Sequence, residues 1–232
     1  MEHKISVIIP SYNESKTLIK ILELVNKQKK INNFNLEVIF VNDGSTDNTH
    51  ELISSNLQLV DKYIKFEKNL GKGAAVREAL SVASGEYIIF QDADLEYDPN
   101  EFSKFFNIIK NQSTDLVIGS RFLGSDFTKV MYFWNKVGNK LITLTFNILF
   151  NTTFTDTYSC YLLYKKELVN PLDLKTNGWQ QHGEILATVV KKGSNFFEVP
   201  INYNGRTFEQ GKKIRARHFI AVIFTIFKKR LI

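Results

Sequence analysis

The sequence contains a single cysteine, Cys160, among 232 residues. A disulfide within the chain is therefore excluded, and a reducing compartment is the expected location. The sequence also lacks the ~20 consecutive apolar residues that a membrane-spanning helix needs. No secretory signal fits the first residues, which lead directly into a strand-like run. These absences predict a cytoplasmic protein, with peripheral contact at the inner face of the plasma membrane as an alternative.

Positive charge is only slightly in excess over negative charge. The 30 Lys and Arg residues against 24 Asp and Glu residues give a net charge of +6, which suits a phosphate-rich partner such as a nucleotide or an anionic membrane surface. Outside the C-terminal end the basic residues form no long tract, so nucleic acid is not expected as a partner. Apolar residues make up 44%, which excludes disorder as the main interpretation.

Strand-like and helix-like patterns alternate in the first half of the chain. Apolar residues recur at helical spacing between short β-branched runs. This alternation predicts one α/β domain with a mainly parallel sheet flanked by helices, over residues 1–217. We also expect an amphipathic helix over residues 129–150, a late strand at residues 196–199 and a C-terminal amphipathic helix over residues 218–232. The predicted strands of the first half are residues 5–9, 38–41, 87–90 and 116–118.

Polar clusters follow three of the predicted strands, where an open parallel sheet binds its ligands. The clusters lie at residues 12–14, 43–47 and 92–94. Three strand ends that carry carboxylates predict one shared site. Asp47, taken alone, is equally well explained as a helix cap.

Asp92 and Asp94 predict a metal site. Side chains two residues apart on an extended segment point the same way, and two such carboxylates need a cation to neutralise them. Oxygen ligands suit Mg²⁺ or Mn²⁺, which can bridge a diphosphate, and Glu96 lies two residues further on. The alternative is a solvated turn.

The segment Asn69–Gly73 precedes a predicted helix. Its glycines would let backbone amides approach phosphate at the helix N-terminus, and Lys72 would add positive charge. A plain helix-entry turn is the alternative, because no Walker pattern is present.

Taken together, these segments resemble the family-two inverting glycosyltransferases, particularly the branch of dolichol-phosphate mannosyltransferase-like enzymes. The resemblance implies a GT-A-like fold and a metal-dependent hexosyltransferase that uses a nucleotide diphosphate-sugar, such as GDP-mannose or a UDP-hexose, with Mg²⁺ or Mn²⁺. The matching segments, in the family's order, are Val7–Glu14, Val41–Asp47, Asn69–Gly73, Asp92–Glu96, Gly119–Arg121 and Glu198–Ile201 with Arg206.

The resemblance also implies roles for individual residues. Asp94 would bind the metal and the diphosphate, Asp92 would lie by the ribose or the metal, and Glu96 would lie near the cation. Arg121 would face the transferred sugar or an acceptor phosphate. Arg206 and Lys213 would lie on a loop that closes over the diphosphate. The residues expected to hold the nucleoside are Pro10, Tyr12, Glu14 and Asp43, the last with its side chain free to meet the base or ribose.

The acceptor is less well defined by the sequence. The segment Arg206–Lys213 has a longer gap than the family pattern and lacks its serine, so two acceptors stay open: a polyprenyl phosphate, or the hydroxyl of a glycan or lipid-linked sugar in surface polysaccharide synthesis. A hydroxyl would need a general base. Asp156 is the candidate, although it could equally bind the acceptor or cap a helix. A non-catalytic module that assembles a membrane complex is a third hypothesis, which the Asp92/Asp94 pair disfavours.

Three further features allow two interpretations each. Trp134 suits the core or a membrane surface, with the core preferred. His182 either touches substrate or has only a structural role. The C-terminal helix, which ends in Lys228-Lys229-Arg230, either lies on anionic lipid or packs on the domain or a second subunit.

Overall fold

The computed structural model describes residues 3–31, 35–124, 129–130, 132–207 and 216–231. Its centre is a seven-stranded sheet in the order β3-β2-β1-β4-β6-β5-β7. The strands are β1 Lys4–Ser11, β2 Asn35–Asn42, β3 Lys62–Lys65, β4 Tyr87–Phe90, β5 Leu116–Ser120, β6 Leu162–Lys165 and β7 Phe196–Pro200. The helices are α1 Leu18–Ile31, α2 Thr49–Ser54, α3 Lys72–Val82, α4 Phe102–Asn111, α5 Phe133–Phe150, α6 Gln181–Lys192 and α7 Ala216–Leu231.

The sheet is mainly parallel, which confirms the predicted fold class. Strand β1 pairs in parallel with both β2 and β4, and β2 pairs in parallel with β3. Strand β6, which the sequence analysis did not predict, runs antiparallel between β4 and β5. Because β1, β2 and β4 are parallel, their carboxyl ends meet at one edge of the sheet, and the predicted polar clusters lie there.

A capped turn precedes α4, the helix after β4. The Asp98 side chain accepts a hydrogen bond from the backbone N–H of Asn100, and Pro99 occupies the first helical position. Helix α4 then buries Phe102, Phe105 and other apolar residues against the sheet. This start determines where the loop after β4 ends and so frames the Asp92–Glu96 segment.

Helices α5, α6 and α7 pack together beside the sheet. Val222 and Ile226 of α7 are buried, so this helix packs on the domain. The preferred core interpretation of Trp134 is wrong, because 77% of this residue is exposed at the start of α5. Among the described residues, no helix has the length and apolar character needed to cross a bilayer.

Candidate active site

The loop after β4 brings Asp92 and Asp94 to the carboxyl edge of the sheet. The backbone turns at Leu95, whose φ of 62° lies in the left-handed region that non-glycine residues rarely adopt. Lys72, at the start of α3, forms an ion pair with Asp92, with 2.5 Å between Nζ and Oδ1. Burial alone would raise the pKa of Asp92, but the charge and hydrogen bond of Lys72, with smaller contributions from Cys160 and His182, together lower the pKa.

Arg206 pairs with three carboxylates, all of which lie far from it in the sequence. Its guanidinium lies 2.7 Å from Asp94 Oδ2, 3.1 Å from Glu14 Oε2 and 3.1 Å from Glu96 Oε1. The Tyr203 hydroxyl donates a 2.5 Å hydrogen bond to Glu96 Oε2. Residues 203–206 are thus tied to the loop after β4 and to the loop after β1.

The electrostatics of this cluster favour an added cation. Burial, followed by the carboxylates of Asp92 and Glu96, raises the pKa of Asp94 to about 7 despite the opposing Arg206 guanidinium. A carboxyl whose pKa is raised in this way gains from any nearby positive charge. In the structure that charge is supplied by Lys72 and Arg206.

The donor set of the predicted metal site is chemically suitable. Asp92, Asp94 and Glu96 offer the hard oxygen ligands that Mg²⁺ and Mn²⁺ take. As the side chains stand, however, no three His, Cys, Asp or Glu residues of the described chain form a group that could hold a metal ion. Arg206 contacts both Asp94 and Glu96. An ion bound to these oxygens would therefore have to displace the guanidinium or share the oxygens with it.

The Asp43 carboxylate is not free, contrary to the expectation from the sequence. Its oxygens accept hydrogen bonds from the backbone N–H groups of Leu70 at 2.7 Å and Gly71 at 3.0 Å, and from the Asn69 side chain at 3.1 Å. Burial raises the pKa of Asp43, and the two backbone donors oppose that rise. Asp43 therefore holds the loop between β3 and α3 in place.

The glycines of that loop are needed for close packing. A Cβ atom at Gly71 or Gly73 would lie 2.4 Å from the carbonyl oxygen of Asn177 or Thr176, respectively. The N–H of Gly73 donates to the Asn177 carbonyl at 2.7 Å. The expected use of these amides as phosphate donors is thus wrong for Gly71 and Gly73, whose N–H groups already have protein acceptors.

Two neighbouring pockets open at this edge. The first, the Asp43 pocket, has a volume of about 260 Å³ and the second, the Arg121 pocket, about 90 Å³. Among the lining residues of the Asp43 pocket are Pro10, Tyr12, Glu14 and Asp43, and among those of the Arg121 pocket are Arg121, Tyr158, Gln181 and His182. Both pockets share Lys72, Asp92, Asp94, Trp179 and Arg206. The carboxylate cluster therefore forms the wall between them.

Arg121 is held rigidly beside the second pocket. Its Nε and NH2 atoms donate to the two oxygens of Asp156 at 2.6 and 2.8 Å, and NH2 also donates to the Tyr158 carbonyl at 3.1 Å. Asp156 is fully buried. Glu198, from the matching segment at residues 198–201, accepts hydrogen bonds from the backbone of Thr155 and Asp156. A chain of contacts from β7 thus orients Arg121.

Two predicted residues remain, Asp47 and Lys213. Asp47 directly precedes Asn48, the N-cap residue of α2, and its carboxylate accepts from the Thr49 N–H and from the Ser15 N–H, both at 3.1 Å. Lys213 lies outside the described residues. Trp179, Gln181 and Tyr203 were not predicted. For Trp179 and Gln181, an aromatic residue followed by two glutamines at the start of a helical pattern was a visible signal.

The fold and the site together define a class. A mainly parallel sheet with an acidic cluster at its carboxyl edge, and a pocket on either side of that cluster, is the arrangement of a GT-A-type α/β enzyme. The chain belongs to glycosyl transferase family 2, whose model matches residues 6–172. The family resemblance inferred from the sequence is therefore confirmed.

Individual relatives agree with this assignment. The chain is 30% identical over 215 residues to a dolichol-phosphate mannosyltransferase of Pyrococcus furiosus, covering 90% of this chain and 59% of the relative. It is 28% identical over 220 residues to the dolichyl-phosphate β-glucosyltransferase ALG5D of Trichomonas vaginalis, covering 86% and 65%. The chain thus spans less than two thirds of the length of either relative.

A solved structure shares the fold. Glucosyl-3-phosphoglycerate synthase from Mycobacterium tuberculosis, crystallised with Mn²⁺, UDP and glucosyl-3-phosphoglycerate, superposes with a TM-score of 0.72 at 18% identity. The match covers 99% of this chain and 81% of that one. At this identity the match establishes the GT-A fold alone.

Proposed function

We propose that this chain is a metal-dependent hexosyltransferase that moves a sugar from a nucleotide diphosphate-sugar to a polyprenyl phosphate. The observation that carries the proposal is the wall shared by the two pockets, which combines Lys72 and Arg206 with Asp92 and Asp94. A diphosphate at this wall would place its nucleoside in the Asp43 pocket and its sugar in the Arg121 pocket. The names of the two dolichol-phosphate relatives support the acceptor.

The metal would be held by Asp94 and Glu96 with Asp92. When bound, it would neutralise the leaving diphosphate as a Lewis acid. Lys72, already near this wall, would add charge to the same diphosphate. Arg206 would leave the carboxylates for the donor, since both of its present partners in the loop after β4 would then have a cation.

The pairing of the carboxylates favours a phosphate acceptor over a sugar hydroxyl. Among the described residues that line the Arg121 pocket, Asp92 is paired with Lys72, and Asp94 and Glu96 are paired with Arg206. Asp156, the candidate base, has both oxygens engaged by Arg121. A phosphate is already an anion and needs no base to attack the anomeric carbon, and Arg121 would orient it. Inversion follows from attack opposite the leaving diphosphate.

The acceptor can be tested by comparing a short polyprenyl phosphate with the matching polyprenol. We expect transfer from UDP-glucose or GDP-mannose to the phosphate with Mg²⁺ or Mn²⁺, and none to the alcohol. Transfer only to sugar hydroxyls would favour the second acceptor class. Donor binding without turnover on any acceptor would favour a non-catalytic module.

We expect Asp43→Ala to weaken the binding of the nucleoside diphosphate. The substitution removes the acceptor for the Leu70 and Gly71 amides, so the wall of the Asp43 pocket loses its support. A cost of about 1–3 kcal/mol is typical for unsatisfied buried donors. Calorimetry with UDP and GDP would measure the effect. The control is Asp61→Ala, directly before β3 and outside both pockets, whose carboxylate likewise accepts from a backbone N–H, that of Val38. Unchanged affinity would exclude Asp43 from supporting the pocket.

We also propose that α7 contacts an anionic membrane surface. Ile220 and Phe224 are 74% and 70% exposed, and Phe227 and Leu231 continue the same face of the helix. Lys228 and Arg230 lie exposed at the end of this row. An apolar row beside basic residues is typical of an interfacial helix.

Flotation with anionic vesicles at low salt tests the contact. We expect wild-type protein to float and Ile220→Ser/Phe224→Ser to lose most of its binding, because the apolar row is interrupted without touching buried Val222 or Ile226. Leu172→Ser, which replaces a comparably exposed leucine elsewhere, should float like wild type. If the wild-type protein stays in the soluble fraction, the proposed membrane contact is wrong.

A further inference from the structure

We propose that Gln181 and His182 form a recognition subsite for the hydroxyl groups of the transferred hexose, with Trp179 as its apolar wall. The inference rests on the proposed donor class and identifies which residues bind the hydroxyl groups of the sugar. Both side chains line the Arg121 pocket at the start of α6.

The place of Trp179 points to the sugar. Trp179 lines both pockets, and the Lys72 ammonium lies 5.3 Å from its ring centroid. If the diphosphate lies at the shared wall, the sugar is the first group beyond it on the Arg121 side. Gln181 and His182 follow Trp179 by two and three residues, so the same turn presents all three to that position.

Both polar side chains have an unused nitrogen. Within the described part of the chain, Gln181 Nε2 and His182 Nε2 are buried without a hydrogen-bond partner, and Gln181 is only 2% exposed. A buried polar atom without a partner costs about 1–3 kcal/mol. Hydroxyl groups of a bound hexose would offer these atoms hydrogen-bond partners.

The subsite is held in shape by Tyr158. The Tyr158 hydroxyl donates to the Trp179 carbonyl at 3.1 Å, and its ring meets the His182 ring edge-on at 5.7 Å between centroids. The Tyr158 carbonyl in turn accepts from Arg121 at 3.1 Å. Trp179 and His182 are therefore positioned before any ligand arrives, which lowers the cost of binding.

The chemistry of the subsite suits neutral hydroxyls. Gln181 carries no charge, and burial, followed by the Lys72 ammonium, lowers the pKa of His182 to about 4. At neutral pH the imidazole is therefore uncharged and would not attract the diphosphate. One of its nitrogens donates and the other accepts, so the pair can hydrogen-bond a sugar hydroxyl in either direction.

The test is the dissociation constant of a nucleotide-sugar relative to that of its nucleotide. Calorimetry with UDP and UDP-glucose, and with GDP and GDP-mannose, is applied to wild type, Gln181→Met and His182→Leu. We expect each variant to bind the nucleoside diphosphate within about twofold of wild type. The dissociation constant of the nucleotide-sugar, divided by that of the nucleoside diphosphate, should rise by about tenfold. The preserved nucleotide binding also reports that the variant is folded.

A matched control and a second measurement complete the design. Gln28→Met replaces another buried glutamine, which pairs with Asn100 and lines neither pocket; it should leave the ratio unchanged. We expect His182→Leu also to reduce discrimination between UDP-glucose and UDP-galactose, which differ in one hydroxyl orientation. Because the two sugars are compared on the same protein, a difference in stability between wild type and variant does not affect the comparison.

The outcomes separate this inference from the proposed function. If wild type binds none of the four ligands, the proposed donor class fails. If wild type binds them and the variants keep the wild-type ratio, the subsite is wrong and the donor class stands. If the variants change only the KM for polyprenyl phosphate, these residues belong to the acceptor and the inference is overturned.

Discussion

Replacing Asp94 with asparagine is expected to reduce donor turnover by about 100-fold or more, the usual scale for removing one electrostatic group that stabilises a transition state. Asparagine keeps the shape of the side chain and removes the charge that would bind the metal and the diphosphate. Turnover of the nucleotide-sugar at saturating Mg²⁺ or Mn²⁺ measures the loss. Asp98→Asn, four residues away at an exposed helix cap, should retain wild-type turnover.

The same substitution should not destabilise the protein. The pKa of Asp94 rises from 3.8 to about 7 in the folded state, so between these pH values the folded protein binds more protons than the unfolded chain. The free energy of unfolding therefore falls as the pH rises through that window. At pH 8 the buried charge is a cost that asparagine removes.

Thermal unfolding in chelator checks this expectation. We expect Asp94→Asn to unfold at the wild-type temperature or above it at pH 8, with the difference shrinking towards pH 5. Loss of turnover together with a clearly lowered unfolding temperature would mean that Asp94 is mainly structural. Turnover within about threefold of wild type would exclude Asp94 from the diphosphate site, since one lost electrostatic group costs far more.

The position of the site follows from the sequence because parallel strands share an edge. Residues after β1, β2 and β4 meet there, and short apolar runs ending in polar clusters are enough to locate it. Strand β3 was missed for a physical reason. Strand β3 is a half-buried edge strand with lysine at both ends, so it lacks the apolar run of an inner strand.

The hydrogen-bond and ion-pair partners of the site residues could not be predicted from the sequence in the same way. Arg206 reaches Asp94 across 112 positions and Glu14 across 192, and no local pattern encodes such contacts. Asp43 shows the consequence. A carboxylate at a strand end predicts an available ligand group, yet the loop before α3 folds back and occupies it.

The second large effect is expected at the buried Arg121–Asp156 pair. Removing one partner leaves an uncompensated charge in the interior, so Asp156→Ala should lower the free energy of unfolding by about 3–5 kcal/mol. Urea denaturation measures the change. Lys29→Ala breaks the exposed ion pair with Asp61 and should cost no more than about 1 kcal/mol.

Removing both charges separates the structural role of the pair from its functional role. A buried ion pair can be replaced by apolar residues of similar volume with little loss of stability, so Arg121→Met/Asp156→Leu should recover most of the free energy of unfolding. Transfer to polyprenyl phosphate should remain lost, because the cation that would orient the acceptor is gone. Slow hydrolysis of the donor by water, which needs no acceptor site, should persist. A stable double variant that transfers at the wild-type rate would make Arg121 a structural residue. The acceptor phosphate would then be assigned to another cation that lines the same pocket, Lys72 or Arg206.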